Sequence, residues 1–544
     1  MSLYRKFLKF MQLIENTSHQ KLRGGYYTPP AIASFLLQWG TQGIPHPEIL
    51  EPSCGDGVFI EQLKLLELDF SSFLGIEYDS EEAEKSASII LRDKQVKNCD
   101  FHEFCLTTRK KFDLVVGNPP FIRYQYYTES MQLLAAEIFK KAGMKYSKLT
   151  NAWVTFIVGS SLLLKEKGRI AFVVPADLLQ VTYAKQLRDF LIETFNQVNI
   201  VSFEELVFDG IQQEVVLLLC ERDGTNRRSI DHIDVKNAES LHLLLDKGMQ
   251  FKAKTINKNS DKWSYYFLSN EEISFIEGLS SNENENIGRL ASVEVGITTG
   301  ANQYFCVPKE IVGRYDLTCF ANPMVGRSVQ VPSLLFTQED WLKNVNKGSR
   351  AFLLNFISRK AVAKHKGARD YIALGESLEI DQGYKTSIRD DWFVIPSLKL
   401  SDALFLRRNH SFPRLVLNCA SAYTTDTMHR VFLKLGTDPK SFIASFYNSF
   451  SFAHAEIVGR NFGGGVLELM PKEVEAIYLP YGNNSDLFDD IDVMFRAGEP
   501  IEKILDYTDQ KILIEKKGFP KELVTLGRNI WRKLSTRRMR RSKK

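Results

Sequence analysis

Short apolar runs alternate with helix-like patterns from about Glu48 to Cys220. The runs that predict strands are EILEPS, FLGIEYD, FDLVVGN, RIAFVVP and EVVLLLC. The stretches between them that predict helices are GVFIEQLKLLEL, SEEAEKSASIILRDK and NAWVTFIVGSSLLLKEKG. Because this alternation is typical of βαβ units and several strands are apolar on both faces, it predicts an α/β fold with a doubly wound, mainly parallel sheet.

The pattern changes after Arg222, where strand-like runs mix with glycine, aromatic and basic positions, as in VEVGITTGANQYFCV and RNFGGGVLELMPKE. A chain of 544 residues is also too long for one core. We therefore predict an α/β domain over 1–225, a connecting segment over 226–288, a mixed α+β domain over 289–485, and a helical segment with a basic tail over 486–544.

The formal charge of +4 is small for this length but unevenly distributed. The last stretch, RNIWRKLSTRRMRRSKK, is more basic than any other window. It is either a solvated, frayed tail or an arm that contacts nucleic-acid phosphates.

The cysteines bear on the compartment. The seven are scattered and include no C-x-x-C pair, which argues against a disulfide framework or a zinc site and fits a reducing cytosol. The longest apolar run, WVTFIVGSSLLL, is too short to span a bilayer, and the N-terminal MSLYRKFLKFMQLIENTSHQ predicts a helix rather than a signal peptide. We expect a cytoplasmic protein with no metal and no membrane partner.

The stretch ILEPSCGDGVFI follows the first strand and opens a helix. Gly55 and Gly57 would let the backbone turn tightly and approach a ligand. Glu77 ends the second strand, where an acidic residue can accept hydrogen bonds from ribose hydroxyls. Asp100 follows a third strand and could accept from an adenine amino group, with Phe101 beside it to pack on the ring. Their order predicts a nucleoside pocket.

This pocket lacks the features of a phosphate site. The chain contains no G-x-x-x-x-G-K-[ST] motif, and the acid in CGDG would repel a pyrophosphate. A cofactor that carries adenosine without phosphate indicates S-adenosylmethionine.

The stretch KFDLVVGNPPFIRY, from Lys111 to Tyr124, runs a buried strand into two prolines and an aromatic ring. The ends of such strands are where ligands bind in open α/β folds. Asn118 offers an amide oxygen, Pro119 a carbonyl held by the stiff Pro-Pro step, and Phe121 a face on which a planar group could stack. The motif predicts a site for a planar group.

From about Lys21 to Cys220 these motifs resemble the gamma class of amino-methyltransferases, the N6-adenine DNA methyltransferases of type II restriction–modification systems. The matching stretches are RGGYYTPPAIASFL, EPSCGDG, NPPF, GRIAFVVPADLL and LVFDGIQQEVVLLL. The resemblance implies a Rossmann-like class I methyltransferase sheet. It also implies that Tyr27, Thr28 and Pro29 close over the methionine end of the cofactor, that Glu51 binds the methionine ammonium, and that Cys54, Asn118 and Pro120 belong to the same pocket.

The resemblance further implies that the planar group is a flipped adenine. Asn118 and the Pro119 carbonyl would hold both N–H groups of the exocyclic amine, so that its lone pair points at the sulfonium methyl. Phe121 would stack on the base, and by resemblance Phe208 would contact it from another side, unless Phe208 is an ordinary core aromatic. The chain has no Pro-Cys dipeptide, so the nucleophile of cytosine-5 methylation is missing.

The second half resembles the recognition region of the larger members of this group, on the stretches GITTGANQYFCV, GYKTSIRDDWFVIP, TTDTMHRVF and GRNFGGGVLELMP. The implied partners are double-stranded DNA and a cognate restriction endonuclease, and we expect a monomer. The candidate DNA contacts are Arg327, Lys385, Arg389, Trp392, Arg430 and Arg460.

Several alternatives share the same site chemistry. An RNA adenine methyltransferase, a protein glutamine-N5 methyltransferase and a modification enzyme of a phage-defence system without a simple restriction partner all stay open. A fused restriction–modification enzyme would need a nuclease domain with a metal-binding carboxylate cluster. A DNA-binding module on an inactive methylase fold would need a damaged motif, and none is damaged.

Overall fold

The computed structural model describes residues 28–540, apart from 90–92, 206, 209–213, 226–227, 247–253, 255–261, 282–284, 397 and 463. The chain divides into two compact units, and the division falls between Asn270 and Glu271. The helix predicted for the N-terminus and the candidate residue Tyr27 lie outside the described residues.

The first unit contains an eight-stranded sheet in the order β3-β2-β1-β4-β5-β7-β6-β8. Strand β7 pairs antiparallel with β5 and β6, and the other neighbours pair in parallel. The strands are β1 Glu48–Glu51, β2 Ser72–Glu77, β3 Lys94–Asn98, β4 Phe112–Gly117, β5 Leu164–Pro175, β6 Gln197–Phe203, β7 Val215–Glu221 and β8 Ser229–Val235. The strand order runs outward in both directions from β1 and β4, and ligands bind beyond the carboxyl ends of the strands at such a switch point.

The helices of the first unit fall between these strands. They are α1 Pro30–Thr41, α2 Val58–Leu65, α3 Ser80–Ser88, α4 Phe101–Thr107, α5 Glu129–Lys141, α6 Ala152–Leu162, α7 Lys185–Thr194 and α8 His242–Asp246. Short 3₁₀ segments lie at Tyr124–Tyr126, Ala176–Leu179, Thr182–Ala184, Ala238–Leu241 and Trp263–Phe267. The five predicted strands and three predicted helices are all present, so the prediction of a mainly parallel α/β sheet is confirmed.

Strand β4 is mostly apolar because both faces of the sheet are buried at this strand. Leu114 and Val116 join a core cluster with residues of α1 and α2, such as Phe35 and Phe59. Val115, between them, is equally buried but must point to the opposite face, because side chains alternate along a strand. A strand with both faces buried holds the end of β4 rigidly, and the candidate motif begins there.

The first unit is longer than the sequence predicts. Strand β8 pairs with β6 over seven residue pairs, from Gln197↔Ser229 to Phe203↔Val235, although it lies beyond the boundary predicted at residue 225. The first part of the predicted connecting segment over 226–288 therefore belongs to the sheet, and the unit ends at Asn270.

The second unit is a mixed α+β structure, as predicted. Its strands are β9 Ala291–Val295, β10 Cys306–Val307, β11 Ala321–Val325, β12 Leu335–Phe336, β13 Phe352–Leu354, β14 Ala403–Leu406, β15 Arg408–Asn409, β16 Leu415–Asn418, β17 Tyr423–Thr424, β18 Met428–Leu433, β19 Arg460–Phe462 and β20 Val466–Glu468. They form sheets in the orders β12-β16-β14-β18-β9, β10-β13-β11-β17 and β15-β20-β19.

Its helices are α9 Asn270–Ser281, α10 Ile287–Leu290, α11 Asn302–Phe305, α12 Lys309–Arg314, α13 Gln338–Asn346, α14 Arg359–Ala363, α15 Lys366–Ser377, α16 Tyr384–Ser387, α17 Pro439–Phe446, α18 Ser449–Val458, α19 Pro471–Ala476, α20 Ser485–Arg496, α21 Ile501–Thr508 and α22 Lys521–Arg540. A π-helical stretch, Asp509–Lys516, continues α21, and 3₁₀ segments lie at Thr318–Phe320, Ser328–Gln330 and Ile380–Gln382. No helix in the described part of either unit combines the length and apolarity that a bilayer crossing demands.

The prediction of a frayed tail at the basic C-terminal stretch is wrong for residues up to Arg540, because they form a packed helix. The Arg538 guanidinium donates to both oxygens of Glu456, at 2.6 and 3.0 Å, and both side chains are only 1% exposed. Arg528 donates to Asp509 at 2.7 Å, and the Trp531 ring is buried. These arginines are held inside the unit, so the phosphate-binding interpretation does not apply to them.

Candidate active site

A cavity of about 480 Å³ lies at the carboxyl ends of β1, β2, β3 and β4. Its lining includes six carboxylates and no lysine or arginine, counted over the described residues. The carboxylates are Glu51, Asp56, Glu77, Asp79, Glu82 and Asp100. The aromatic lining residues are Phe59, Tyr78, Phe101, Tyr126, Tyr127 and Phe156. The cavity can therefore hold a planar apolar group and a cation.

The turn from β1 to α2 forms one wall and requires glycine. Gly55 has a φ of +48° and Gly57 a φ of +97°, both in the region that disfavours a side chain. A Cβ on Gly57 would also approach Ile89 Cδ1 to 2.6 Å. The amide of Gly55 donates to Glu77 Oε2 at 2.9 Å, which ties this turn to the end of β2.

Glu77 is held from two sides. Its Oε1 accepts a hydrogen bond from the backbone N–H of Asp79 at 2.9 Å, in addition to the bond between Oε2 and Gly55. Burial raises the pKa of Glu77, although these backbone donors act in the other direction. Each carboxylate oxygen can accept more than one hydrogen bond, so a fixed Glu77 can still accept from ligand hydroxyls.

Glu51 is the most deeply buried acid of the site. Its side chain is 1% exposed, and Oε2 has no hydrogen-bond partner in the described part of the chain. Burial raises the pKa of Glu51 well above its ordinary value, and the charges of Glu77 and Asp56 raise it further. Since a buried carboxylate without a partner costs free energy, this position favours a bound cation.

Cys54 occupies the same turn as a packed thiol. Its amide donates to the carbonyl of Ile76 at 2.9 Å, and its Sγ lies 3.5 Å from Ser86 Oγ. Burial raises the pKa of Cys54 far above its ordinary value, so the thiol stays protonated. It is a small turn residue and not a nucleophile.

The far wall combines α4 and α6. Asp100 is the N-cap of α4 and accepts from the amide of His102 at 2.6 Å. The Phe101 and Phe156 rings stack with centroids 4.8 Å apart and an interplanar angle of 21°. Stacked rings beside a fixed carboxylate suit a heteroaromatic ring that carries a hydrogen-bond donor.

The NPPF motif begins where β4 ends, after Gly117 with a φ of +155°. Asn118 and Pro120 line the cavity, and the Asn118 carbonyl accepts from Ser53 Oγ at 3.3 Å. Phe121 is half-buried against the core cluster that also contains the buried Phe208. This burial is what a core role for Phe208 predicts, and its contact with a base stays a prediction.

The structure brings most of the predicted cofactor residues together. Nine line the one cavity: Thr28, Glu51, Cys54, Gly55, Glu77, Asp100, Phe101, Asn118 and Pro120. Gly57 caps α2 behind the turn, and Pro29 caps α1. Their roles in binding stay predictions.

Several lining residues were not predicted from the sequence. Tyr78 directly follows the ribose acid Glu77, and that position could have revealed it. Phe156 lies in a helix that is apolar on all sides, and nothing in the sequence distinguishes it from its neighbours. His102 was hidden in the same way, beside a carboxylate and between two phenylalanines.

The candidate DNA contacts of the second unit fall into two groups. Arg327 and Lys385 are exposed. The other three arginines are engaged within the unit: Arg389 donates to the Thr299 carbonyl at 2.8 Å, Arg430 to Glu294 at 2.9 Å, and Arg460 to Glu473 at 2.9 Å. Trp392 packs against Tyr304 with ring centroids 5.3 Å apart. These internal contacts explain why a basic or aromatic residue stands at each of the last four positions.

This strand order, with an acidic cavity at the carboxyl ends of the first four strands, defines a class I methyltransferase fold. Residues 60–208 match the family model described as Eco57I restriction-modification methylase. Residues 260–513 match the model of the C-terminal domain of type II methyltransferase M.Eco57I. The chain belongs to the type II restriction–modification methyltransferases, and this membership supports DNA methyltransferase activity.

Two curated relatives resemble the chain over most of its length. Type II methyltransferase M.AccI of Acinetobacter calcoaceticus is 23% identical over 453 residues, 79% of this chain and 78% of that protein. Type II methyltransferase M.XamI of Xanthomonas campestris pv. amaranthicola is 23% identical over 495 residues, 86% of this chain and 87% of that protein. Among solved structures, a nuclease-deletion mutant of the Type ISP restriction-modification enzyme LlaGI, in complex with a DNA substrate mimic, aligns with a TM-score of 0.48 at 13% identity, over 87% of this chain and 47% of that chain.

Proposed function

We propose that this protein is a site-specific DNA adenine-N6 methyltransferase. It transfers a methyl group from S-adenosylmethionine to a flipped adenine in double-stranded DNA, and it protects that site from a cognate restriction endonuclease. The observation that carries the proposal is that Asn118, at the end of β4, lines the same cavity as Asp100 and Glu77, the acids suited to adenine and to ribose.

The charge of the cavity favours this cofactor. S-adenosylmethionine carries a sulfonium and an ammonium, both cationic, and no phosphate. Six lining carboxylates, with no lysine or arginine in the described lining, would attract such a molecule and repel a nucleotide with a pyrophosphate. The buried Glu51 Oε2, which has no partner in the described part of the chain, fits the ammonium. Bound there, the cofactor would supply an electrophilic methyl group.

Each wall of the cavity has a proposed task. Thr28 and Glu51 hold the methionine end, and Glu77 accepts hydrogen bonds from the ribose. Asp100 accepts from the adenine amino group, while Tyr78, Phe101 and Phe156 pack on the adenine ring. Since these residues come from different loops at one sheet edge, they fix the cofactor relative to Asn118.

Asn118 and Pro119 then prepare the target. An exocyclic amine is a weak nucleophile because its lone pair is delocalised into the ring. Two acceptors, the Asn118 side-chain oxygen and the Pro119 carbonyl, would hold its two hydrogens and direct the lone pair at the methyl group. The proton leaves after transfer, so this arrangement needs no strong base.

The exposed basic residues of the second unit are the proposed DNA contacts. Arg327 and Lys385 have free access to solvent. Lys385 also lies over the ring of its neighbour Tyr384, 5.6 Å from the centroid, and Tyr384 is 78% exposed. A cation beside an exposed aromatic ring can serve both phosphate contact and base stacking.

The decisive experiment incubates the full chain with methyl-tritiated cofactor and with duplex DNA, RNA or bacterial protein in parallel. We expect label in DNA alone, recovered as N6-methyladenine after digestion and chromatography, and none with Asn118→Ala. Label recovered as N4-methylcytosine would refute the adenine assignment. Label in RNA or in glutamine would instead establish one of the alternative substrates.

A further inference from the structure

We propose that His102 is a positioning residue that aims the Asp100 carboxylate at the cofactor's base and thereby selects a purine with an amino group over one with an oxo group. The inference rests on the proposed function, because it assumes an adenosyl cofactor in this cavity. It adds a residue that none of the methyltransferase motifs above contains.

One carboxylate oxygen of Asp100 accepts hydrogen bonds from two donors of the same residue, His102. Asp100 Oδ1 lies 2.6 Å from the His102 amide and 2.9 Å from His102 Nδ1. The carboxylate cannot rotate about its terminal torsion without losing both contacts. The direction in which Oδ2 faces is therefore set by His102.

The imidazole is itself fixed. His102 is 4% exposed and lines the cavity. Its ring meets Phe156 edge-on at 5.3 Å and Tyr127 edge-on at 6.3 Å. Aromatic walls of this kind exclude water, which strengthens the hydrogen bond that they surround.

The hydrogen bond also fixes the protonation pattern. Nδ1 must carry its hydrogen to donate to a carboxylate, so in the neutral ring Nε2 is an acceptor. Nε2 has no partner in the described part of the chain. Although burial alone would raise the pKa of Asp100, the hydrogen bonds from His102 lower it below its ordinary value. Asp100 thus stays an ionised, acceptor-only group.

An acceptor-only carboxylate discriminates by chemistry. It can accept from the amino group of adenine, but it faces an oxygen at the same position of hypoxanthine. A hydrogen bond to a charged group contributes about 1.5–3 kcal/mol, so wild type should bind the amino compound roughly 10- to 100-fold tighter.

The test measures binding of S-adenosylhomocysteine and S-inosylhomocysteine to the full chain by calorimetry. Three variants separate the contributions of the Nδ1–H donor, of a polar group at the position of Nε2 and of the ring shape. His102→Asn keeps an N–H at the position of Nδ1, His102→Gln places its amide near the position of Nε2, and His102→Phe keeps the ring shape without a donor. We expect the tenfold or greater preference for the adenosyl compound to survive in His102→Asn. In His102→Gln and His102→Phe it should fall to within about threefold, through loss of adenosyl affinity alone.

A purely structural role for His102 would weaken both compounds equally and leave their ratio unchanged. That result, or a ratio in His102→Gln equal to that of wild type, would overturn the inference. The Asn and Gln pair keeps the test valid even when the Phe variant does not fold. If wild type bound neither compound, the proposed function itself would fail, which is a distinct outcome.

Discussion

The cavity of the first unit and helix α22 of the second unit both concentrate charge of one sign, and they use it in opposite ways. Six carboxylates share the cavity lining with no lysine or arginine among the described residues. In α22 the buried arginines are matched by acids, as in the pair Arg538–Glu456. Charge density along a sequence therefore does not by itself mark a binding site. A buried charge whose partner is missing is the stronger indication of a ligand.

The largest effect should be the loss of stability that follows removal of one partner from a buried ion pair of α22. Arg538→Met leaves Glu456 buried without a partner, and this should lower the free energy of unfolding by about 3–5 kcal/mol. Arg532→Met, on the same helix, removes a half-exposed partner of Glu502 and should cost no more than about 1 kcal/mol. Urea denaturation followed by tryptophan fluorescence measures both. Equal and small losses would mean that the buried pair does not hold α22 in place.

The next effect concerns the chemistry beside the acidic cavity. Asn118→Ala should lower kcat by about 100- to 1000-fold, the range found when one preorganised hydrogen-bonding group is removed from a transition state. The Kd for S-adenosylmethionine should stay within a few-fold, because the cavity acids are untouched. Single-turnover methylation and calorimetry give the two values. Retention of more than a tenth of kcat would contradict the assigned role.

The next prediction concerns the buried Glu51 carboxyl, whose Oε2 has no hydrogen-bond partner among the described residues. The raised pKa of Glu51 means that its stabilising contribution to the cofactor-free fold is present below its ordinary pKa of 4.5 and is lost as pH rises through the raised value. Glu51→Gln should therefore keep or raise Tm at pH 7 while weakening cofactor binding by about 10- to 100-fold. Thermal melts from pH 4 to 8 and calorimetry check the two halves. If Glu51→Gln instead lowered Tm at pH 7, the Glu51 carboxylate would have to be stabilised by a partner within the cofactor-free protein, and the prediction would be wrong.

The smallest effect concerns the exposed cations of the second unit. The double variant Arg327→Ala/Lys385→Ala should weaken DNA binding several-fold and lower the slope of log K against log salt by roughly one unit per lost phosphate contact. Lys472→Ala is the control, since Lys472 is also exposed but pairs with Glu475. Fluorescence anisotropy across a salt series measures the slopes. Identical slopes for the double variant and the control would remove both residues from the DNA contacts.

The sequence predicts features that depend on contiguous residues, and it does not predict features that depend on contacts between distant parts of the chain. Strands β1, β2, β4, β5 and β7 carry continuous apolar runs, and the glycine turn and NPPF are contiguous motifs at strand ends, so both were found. Strand β8, SIDHIDV, has neither a continuous apolar run nor a strict polar–apolar alternation, so its pairing with β6 is what reveals it as part of the sheet. Arg538 and Glu456 are 82 residues apart in sequence, so the fate of the basic stretch depends on tertiary contacts that composition cannot report. The role of His102 was not predicted either, because it depends on how its ring is oriented, toward Asp100 Oδ1 and between Phe156 and Tyr127, which the sequence does not report.

The position of β8 has a practical consequence for dissecting this chain. A truncation at residue 225 would remove the strand that covers β6 and, along the seven residues that pair with β8, leave the backbone N–H and C=O groups that point to that edge without partners. An uncovered edge of this kind recruits other chains and favours aggregation. A fragment intended to isolate the cofactor-binding unit should therefore extend to Asn270, and insolubility of a shorter one would report on the exposed edge of β6 rather than on the active site.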